Sequence, residues 1–468
     1  MSPTTRRFRV STLAFLLGIG LIPLLSGCAA ISDRSAPTSA ASASASAATP
    51  ESVGLSSARL ARLDRVLESF VEEQRIPGYQ LLVARGGQVV HESLYGKMDL
   101  EDGRDLEADT IYRIYSMSKV ITGVATMVAY EQGRFLLNDP VSKYLPALGE
   151  MQVMVWDDEG NTRLEPAERE ITILDLLRHT SGFTYHFMAP DPLKQMYVDQ
   201  TITPGLRPIS NTSIFGSPGP DRDATLEDMV ERLGKLPLVS QPGSAWQYGI
   251  NMDVLGRLIE ISSGQSFPDF LAEHVFGPLG MEDTAFSVPR EKVERFAACY
   301  AATDSGGFEL ADAPRTSSYL EEPAMPGGGG GMVSTASDYM RFALMLLGGG
   351  QLEGTRLLGP RTVELMMSNH LSPVDFGYRP LSFSSGADYA NGGLGIGFGL
   401  TGSVITEPAL TGLPVSQGNF GWGGAASTFF WVDPVEDVAV VFMTQLLPSN
   451  TYPIRAHLMK GINAALID

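Results

Sequence analysis

The sequence IYSMSKVITG occupies positions 114–123 of this 468-residue chain. It places Ser116 three residues before Lys119 in a largely apolar stretch. Residues three apart on a helix share one face, so these two side chains would lie within hydrogen-bond reach. A serine hydroxyl is a weak nucleophile that needs a neighbouring base of this kind. Serine is equally a preferred residue at a helix start, so the motif alone leaves a catalytic pair and a capped helix both open.

Two later stretches bear on that choice. PGSAWQYGINMDVLGRLIE, at 242–260, places Tyr248 directly before a predicted helix. GWGGAASTFFWVDP, at 421–434, places the Trp-Gly-Gly triplet 422–424 directly before a predicted strand. The chain therefore carries Ser-x-x-Lys, a tyrosine motif and Trp-Gly-Gly in that order.

In this order and spacing, the three motifs resemble those of the class C β-lactamase-like serine hydrolases, and most closely the family VIII esterase branch. That family has S-x-x-K, a tyrosine motif, and K-T-G or its W-G-G variant on a strand at the sheet edge. Several connecting stretches are also similar to the family, namely LLRHTSGF, DVLGRLIE, PLGMEDTAF, GGGGMVSTASDYMRF and STFFWVDP. The resemblance runs from about residue 51 to residue 468. It implies an α+β fold of the serine β-lactamase and penicillin-binding-protein type, an antiparallel sheet flanked by helices plus a mostly helical inserted region.

The resemblance also implies a role for each motif residue. Ser116 would be the nucleophile, while Lys119 and Tyr248 would share the proton transfers. The backbone N–H groups of Ser116 and Ala425 would form an oxyanion hole, each donor stabilising the transition state by about 3 kcal/mol. The substrate-binding residues would be Trp422, Gly423, Gly424 and Ile250. The resemblance implies no metal and no cofactor.

Two departures from the family pattern bear on the substrate. β-Lactamases have Tyr-x-Asn, whose asparagine holds a substrate amide, but here Ile250 takes that place and Asn251 comes one position late. Where β-lactamases and peptidases have the lysine of K-T-G, which pairs with a substrate carboxylate, this chain has Trp422. Both changes favour a neutral small-molecule acyl ester, and hence a carboxylesterase acting on short-to-medium acyl esters through an acyl-enzyme. The alternatives are a β-lactamase or D-amino-acid peptidase with the same mechanism, and a non-catalytic lipoprotein that binds penicillin or cell-wall fragments.

Charge and motif content argue against several other classes. The formal net charge of -19 argues against nucleic-acid binding, because no basic stripe is available for phosphates. No serine lies in G-x-S-x-G, the nucleophile motif of α/β-hydrolases. The six histidines form no close ligand pair, so no metal site is predicted. The glycines at 327–331 are not followed by the Lys-Ser/Thr of a phosphate-binding loop, which favours a close-packed or mobile loop.

The N-terminus has the features of a bacterial lipoprotein signal. Three arginines among the first nine residues precede an apolar run at 11–25, which ends in the lipobox-like LSGC. We therefore expect residues 1–27 to be a signal peptide and Cys28 to be lipidated, so that the exported protein is anchored to a membrane and faces the periplasm or the cell exterior. Residues 28–50 are rich in alanine and serine, which predicts a flexible tether. The other cysteine, Cys299, has apolar neighbours and is predicted to be buried.

Hydrophobic periodicity predicts strands near both ends of the remaining chain. A helical pattern over 56–74 is followed by two strand-like runs, YQLLVAR and QVVHESLYG, joined at Gly86 and Gly87. Near the C-terminus, STFFWV and VAVVFMTQ have the composition of paired strands. In the middle of the chain, ITILDLLRHTSGF predicts a helix that ends at Gly182, and DVLGRLIEISSGQSFPDFLAEHVF predicts two helices separated at Gly264. A last amphipathic helix is predicted at about 452–466.

These elements predict one hydrolase domain over 51–468. Its sheet would be built from about 51–110 and 386–468, with a helical part at about 111–385 inserted between them. The sequence does not indicate the oligomeric state.

Overall fold

Apolar runs from the two ends of the folded chain pair with each other at the centre of one sheet. In the computed structural model, which describes residues 48–202, 223–371 and 394–468, the strand Gly78–Arg85 lies antiparallel to the strand Val438–Met443. Gln80 lies opposite Met443 in this pairing. The predicted sheet built from both chain ends is therefore confirmed.

The predicted signal peptide, the lipidation site Cys28 and all but the last three residues of the predicted tether lie outside the described residues. Within the described ranges, no helix has both the length and the apolar character needed to cross a membrane.

The central sheet has eight strands, and its neighbouring strands are antiparallel. Its strands are β1 (Gly78–Arg85), β2 (Gln88–Asp99), β3 (Arg104–Asp105), β12 (Ile396–Phe398), β13 (Ser403–Ile405), β14 (Phe420–Gly423), β15 (Phe429–Asp433) and β16 (Val438–Met443). Their spatial order is β12-β13-β14-β15-β16-β1-β2-β3. This order places β14, with the Trp-Gly-Gly triplet, two strands away from β16.

The described residues also contain helices of very different lengths. They are α1 (Ser57–Glu72), α2 (Ser118–Glu131), α3 (Ile173–Leu177), α4 (Leu193–Asp199), α5 (Leu226–Leu233), α6 (Asn251–Ser263), α7 (Phe267–Leu271), α8 (Gly277–Leu279), α9 (Ala336–Leu347), α10 (Pro360–Met367), α11 (Pro408–Thr411) and α12 (Ile454–Asn463). The α6 helix ends at Gly264, which has φ of +77°. A left-handed glycine of this kind is a common helix terminator, and the break predicted at this glycine is confirmed.

Helices cover both faces of the central sheet. Phe429 and Phe430 are consecutive in β15, so their side chains point to opposite faces. The guanidinium of Arg455, in α12, lies 4.0 Å from the centroid of the Phe429 ring. On the other face, Tyr339 and Phe342 of α9 lie 4.9 and 6.5 Å from the Phe430 ring. The sheet is therefore buried between α12 on one side and α9 on the other.

The region between the two terminal hairpins contains short strands as well as helices. They are β4 (Ile111–Arg113) with β9 (Val333–Thr335), β5 (Gln152–Trp156) with β6 (Thr162–Pro166), β7 (Cys299–Ala302) with β8 (Phe308–Asp312), and β10 (Gln351–Leu352) with β11 (Thr355–Arg356). One further strand, β17 (Leu446–Leu447), follows the C-terminal hairpin and pairs with β7. Runs of two to five residues are too short to display a clear alternating pattern. This explains why the sequence predicted a mostly helical region there.

One predicted helix is much shorter than its sequence pattern indicated. The pattern ITILDLLRHTSGF predicted a helix that continues to Gly182, whereas α3 ends at Leu177. His179 has φ of +58°, a left-handed conformation that a continuing helix does not allow. The prediction was wrong here because the side chain of His179 joins a buried polar network, described below.

A buried carboxylate stabilises the start of α3. Asp175 is fully buried and accepts hydrogen bonds from Arg169, Thr172 and Thr180. Arg178 lies 3.1 Å from the same carboxylate. Burial by itself raises the pKa of Asp175, but the hydrogen bonds from its partners outweigh burial and lower that pKa to about 2.

We predict that wild-type protein loses part of its stability as the pH falls from 3.8 towards 2. An ionised Asp175 stabilises the folded state above the ordinary carboxyl pKa, and it is protonated as the pH falls through its folded pKa. Asp175→Asn removes this titration. The difference in unfolding free energy between wild type and variant should therefore shrink by about 2 kcal/mol across this window, as measured by urea unfolding.

Asp228→Asn is the matched control, because Asp228 closes the same kind of capping box at the start of α5 but is exposed to solvent. Its substitution should give a smaller pH-dependent difference. A difference for Asp175→Asn that stays constant between neutral and acidic pH would contradict the prediction.

Candidate active site

Ser116 lies in a tight turn at the entrance to α2. The turn is the 3-10 helix Tyr115–Met117, and α2 follows directly with Met117 as its N-cap and no side-chain capping hydrogen bond. The hydroxyl of Ser116 is therefore not used as a helix cap. Tyr115 has φ of +42°, in the left-handed region that is unfavourable for a residue with a side chain. A local strain of this kind persists only where surrounding contacts enforce it.

Several contacts enforce the conformation of this turn. The N–H of Ile114 donates to the carbonyl of Met332 at 3.1 Å. The hydroxyl of Tyr339, in α9, donates to the carbonyl of Met117 at 2.9 Å. The N–H of Met332 donates in turn to the hydroxyl of Ser118 at 3.3 Å. The turn is thus fastened to α9 and to the chain just before β9.

The Ser116 hydroxyl lies within hydrogen-bond distance of both predicted proton carriers. Lys119 Nζ is 3.1 Å and the hydroxyl of Tyr248 is 2.9 Å from Ser116 Oγ. Lys119 is fully buried, and Tyr248 is 9 % exposed. Lys119 Nζ also lies 4.7 Å from the centre of the Tyr248 ring and 5.4 Å from that of Tyr185. The structure therefore brings together the three side chains that the sequence placed 3 and 132 positions apart.

The glycine run 327–331 supplies a further partner that sequence reasoning missed. Lys119 Nζ donates a hydrogen bond to the carbonyl oxygen of Gly329. A Cβ atom at Gly329 would lie 2.6 Å from Asp253 Oδ2, so a side chain cannot be accommodated there. All five glycines are buried. The run is a close-packed loop, one of the two alternatives predicted. The run of glycines was the signal available in the sequence, but it does not show which carbonyl meets Lys119.

The Trp-Gly-Gly triplet lies next to the serine turn. A Cβ atom at Gly424 would overlap the carbonyl oxygen of Ile114, so the absence of a side chain allows the two backbones to approach. Ala425 follows and packs against a small buried cluster. The cluster contains Tyr115, Cys299, Ala426 and Leu447. The residue predicted as the second oxyanion donor therefore packs against the same cluster that contains the residue preceding Ser116.

Cys299 has the environment that its sequence neighbours predicted. The thiol is fully buried, and burial raises its pKa to about 11. A thiol in that state is unreactive at neutral pH.

Aromatic rings surround Tyr248. Trp246 stacks on it at 5.9 Å, Trp422 lies at 5.8 Å, and Tyr185 packs edge-on at 5.5 Å. Phe187 stacks on Tyr185 at 5.2 Å and is 37 % exposed, so this aromatic cluster reaches the surface. Trp422 is 6 % exposed. The surroundings of the three central side chains are therefore largely apolar.

Asn251 is held in a buried polar network. Its Nδ2 lies 2.7 Å from His179 Nδ1, and its Oδ1 accepts from the hydroxyl of Ser181 at 2.5 Å. Burial, followed by the positive charge of Lys119, lowers the pKa of His179 well below its usual value. A neutral imidazole can therefore accept the hydrogen bond from the amide of Asn251. The asparagine that comes one place late in the tyrosine motif is thus hydrogen-bonded within the protein.

Ile250, predicted to contact substrate, is 1 % exposed and belongs to the hydrophobic core. Its contact with substrate stays a prediction. Within the residues that the structure describes, no group of three or more His, Cys, Asp or Glu side chains is arranged to hold a metal ion.

Known proteins resemble this chain over most of its length. A family model described as Beta-lactamase matches residues 63–462. Protein Rv1367c of Mycobacterium tuberculosis (strain ATCC 25618 / H37Rv) is 34% identical over 361 residues, which cover 75% of this chain and 82% of that protein. Esterase EstB of Burkholderia gladioli is 29% identical over 420 residues, which cover 84% of this chain and 93% of that protein.

A solved structure shares the architecture. EstCE1, described as a hydrolase with promiscuous acyltransferase activity, superposes with a TM-score of 0.68 at 26% identity and covers 88% of this chain and 99% of its own. The α+β fold of the β-lactamase and penicillin-binding-protein type, predicted from the motifs, is confirmed. So is the prediction that the chain is an enzyme. The chain belongs to the β-lactamase family and is a serine hydrolase with esterase-like relatives.

Proposed function

We propose that this serine hydrolase is a carboxylesterase that cleaves neutral esters with short-to-medium acyl groups through an acyl-enzyme on Ser116. The observation that carries the proposal is the position of one hydroxyl. Ser116 Oγ lies 3.1 Å from Lys119 Nζ and 2.9 Å from the Tyr248 hydroxyl, so two titratable groups are within reach of the proton that leaves the serine.

In the proposed reaction, Ser116 Oγ attacks the ester carbonyl carbon while its proton passes to the pair formed by Lys119 and Tyr248. The carbonyl oxygen becomes an oxyanion. As the tetrahedral intermediate collapses, the C–O bond to the alkoxide breaks, and the alkoxide takes a proton from Tyr248 and leaves as the alcohol. Water then attacks the acyl-enzyme, gives a proton to the same pair, and releases the carboxylic acid as Ser116 regains its proton.

The backbone N–H groups of Ser116 and Ala425 are the proposed donors to the oxyanion. Two observations support this assignment. Gly424 approaches the carbonyl of Ile114 closely, and Ala425 packs against the buried cluster that contains Tyr115, so the two segments that carry the donors are neighbours. Removal of one donor of this kind typically lowers kcat by about 100- to 1000-fold.

The residues around Ser116, Lys119 and Tyr248 support a neutral substrate. Trp422 contacts Tyr248, and an indole offers no positive charge to pair with a carboxylate. The next residue in β14 is Gly423, where a Cβ atom would overlap the guanidinium of Arg455. Because side chains alternate along a strand, Arg455 lies on the face opposite Trp422 and does not replace the missing lysine. Asn251 is likewise engaged in its own buried network.

The relatives support the same reaction class. EstB is named an esterase, and EstCE1 is described as a hydrolase with promiscuous acyltransferase activity. Hydrolysis of an ester and transfer of its acyl group share the acyl-enzyme and differ in whether water or an alcohol accepts the acyl group.

We also propose that the protein is exported and anchored to a membrane through a lipid on Cys28. The support is the arginine-rich start, the apolar run at 11–25 and the LSGC tetrapeptide. A tether over 28–50 would let the hydrolase domain reach substrates away from the membrane surface.

We predict that Ser116→Ala lowers kcat/KM for p-nitrophenyl butyrate by at least about 1000-fold, because the Ser116 hydroxyl is the group proposed to form the acyl-enzyme. Steady-state assays with purified protein would measure this. Full retention of ester hydrolysis in the variant would contradict the mechanism.

Removal of the tyrosine hydroxyl gives a second variant of the same test. Tyr248→Phe keeps the packing of the ring, and we expect kcat/KM to fall by about 100- to 10,000-fold through loss of proton transfer. Tyr79→Phe is the matched control, since the Tyr79 side chain is also buried and its hydroxyl is 2.9 Å from Ser93. It should change stability with little effect on turnover.

We predict that Trp422→Lys shifts selectivity towards carboxylated substrates. A lysine there can pair with a carboxylate, and a gain of about 1.4 kcal/mol corresponds to a tenfold change. The ratio of kcat/KM for a chromogenic cephalosporin to that for p-nitrophenyl butyrate should therefore rise about tenfold or more. Trp422→Phe, which adds no charge, is the control. Faster wild-type turnover of the cephalosporin than of the ester would favour the β-lactamase alternative instead.

We predict that Cys28→Ala moves the full-length protein from the membrane fraction to the soluble fraction of bacterial cells and abolishes labelling by radioactive palmitate. The reason is that the thiol of Cys28 is the proposed attachment point for lipid. Cys299→Ala is the matched control, because that thiol is buried in the folded domain. Palmitate labelling that persists in Cys28→Ala would refute the lipidation site.

A further inference from the structure

One short stretch of chain contacts both segments that carry the proposed oxyanion donors. It begins at Gln445, directly before β17, and its side chain is 2 % exposed. Gln445 Nε2 donates to the carbonyl of Arg113 at 3.0 Å, and the N–H of Arg113 donates to Gln445 Oε1 at 3.1 Å. The amide side chain therefore pairs with the Arg113 backbone as a neighbouring strand would. Arg113 comes three residues before Ser116.

The next residue, Leu446, contacts the segment that contains Ala425. The N–H of Leu446 donates to the carbonyl of Ala426 at 3.1 Å. The hydroxyl of Ser427 donates to the carbonyl of Leu446 at 2.8 Å. Ser427 has φ of +65°, a conformation that requires such support. Leu446 therefore fixes the turn that contains Ala425.

The Arg113 end of this link is itself rigid. Its guanidinium is fully buried and forms an ion pair with Asp312, with 2.5 Å between Nη2 and Oδ2. It also donates to the carbonyl of Ala297 at 2.6 Å and lies 4.0 Å from the centre of the Phe296 ring. A buried side chain with these partners has no alternative position, so the backbone of Arg113 cannot follow a displaced neighbour.

We propose that Gln445 is a positioning residue that sets the separation between the two oxyanion donors. Gln445 and Leu446 share one peptide unit, which is planar and of fixed length. One of them holds the chain leading to Ser116, and the other holds the chain leaving Ala425. This inference rests on the proposed function, because it takes the N–H groups of Ser116 and Ala425 as the donors.

The test substitutes Gln445→Met, which keeps the length of the side chain but removes the hydrogen bonds of its amide group, three to Arg113 and one to the carbonyl of Thr444. We expect kcat for p-nitrophenyl butyrate to fall by about 10- to 100-fold, a part of what a lost donor produces, while KM stays within about twofold. The rate at which a fluorophosphonate probe labels Ser116 should fall by a similar factor, since that reaction also develops negative charge on an oxygen.

Gln80→Met is the matched control. Gln80 is a buried glutamine on β1 that donates to the carbonyl of Ala108 at 3.1 Å and accepts from the hydroxyl of Tyr112 at 3.1 Å. It should lower the melting temperature as Gln445→Met does but leave kcat unchanged at a temperature where both variants are folded. Equal losses of kcat in the two variants, or an unchanged kcat in folded Gln445→Met, would overturn the proposal.

Ser427→Ala provides a milder variant if Gln445→Met does not fold. It removes only the hydrogen bond to Leu446, and we expect kcat to fall by about 3- to 10-fold with KM unchanged. An unchanged kcat would count against the proposal.

The two readouts separate this inference from the proposed function. A wild-type protein that reacts with the fluorophosphonate at Ser116 but does not hydrolyse the ester would contradict the esterase assignment alone. The labelling rates of the Gln445 and Gln80 variants would then still decide whether Gln445 positions the site.

Discussion

The antiparallel pairing of β1 with β16 constrains the whole molecule, because it joins residues 80–85 to residues 438–443 in register. The chain between β3 and β12 must leave this sheet and return to it. β14 and β15 extend the same sheet from β16, and the Trp-Gly-Gly triplet therefore lies at a fixed place relative to the first hairpin. The turn that carries Ser116 is then pressed against β14 from one side and against α9 from the other.

Close approach of backbones recurs around this turn, and it depends on residues without side chains. Gly424 admits the carbonyl of Ile114, and Gly329 lets its own carbonyl reach Lys119. Gly123, one helical turn past Lys119 on α2, is packed against the side chain of Thr401. A methyl group at any of these positions would displace part of the site, so the glycines contribute to geometry more than to flexibility.

Two features of the surroundings bear on the chemistry of the site: their apolar, aromatic character, and the lack of a lysine at position 422 to pair with a substrate carboxylate. Ser116, Lys119 and Tyr248 are grouped in a largely apolar, aromatic environment, where charge interactions are stronger than in water. An indole replaces the cation that would pair with a carboxylate, and Asn251 bonds to His179. These surroundings favour an uncharged ester. The proposed substrate preference therefore depends on the residues packed around Ser116, and the proposed reacting groups are those of the β-lactamase-like motifs.

The sequence by itself determined the features that depend on short spacing. Ser116 and Lys119 share a helix face because they are three residues apart. The first hairpin turns at Gly86 and Gly87, and apolar runs mark the strands of the C-terminal hairpin. The short α3 helix and the small strands of the middle region escaped such patterns, since tertiary contacts of His179 and pairings of two to five residues decide them.

The tertiary structure alone decided which distant groups meet the site. The carbonyl of Gly329 reaches Lys119 across 210 positions, and Gln445 reaches Arg113 across 332. Every residue carries a backbone carbonyl, so no sequence pattern distinguishes the one that meets Lys119. In the same way, the sequence does not distinguish a glutamine such as Gln445 from other glutamines, because only the fold shows which peptide group its side chain contacts. The sequence could therefore name the side chains proposed to react, whereas the backbone groups that contact them are identified only by the folded structure.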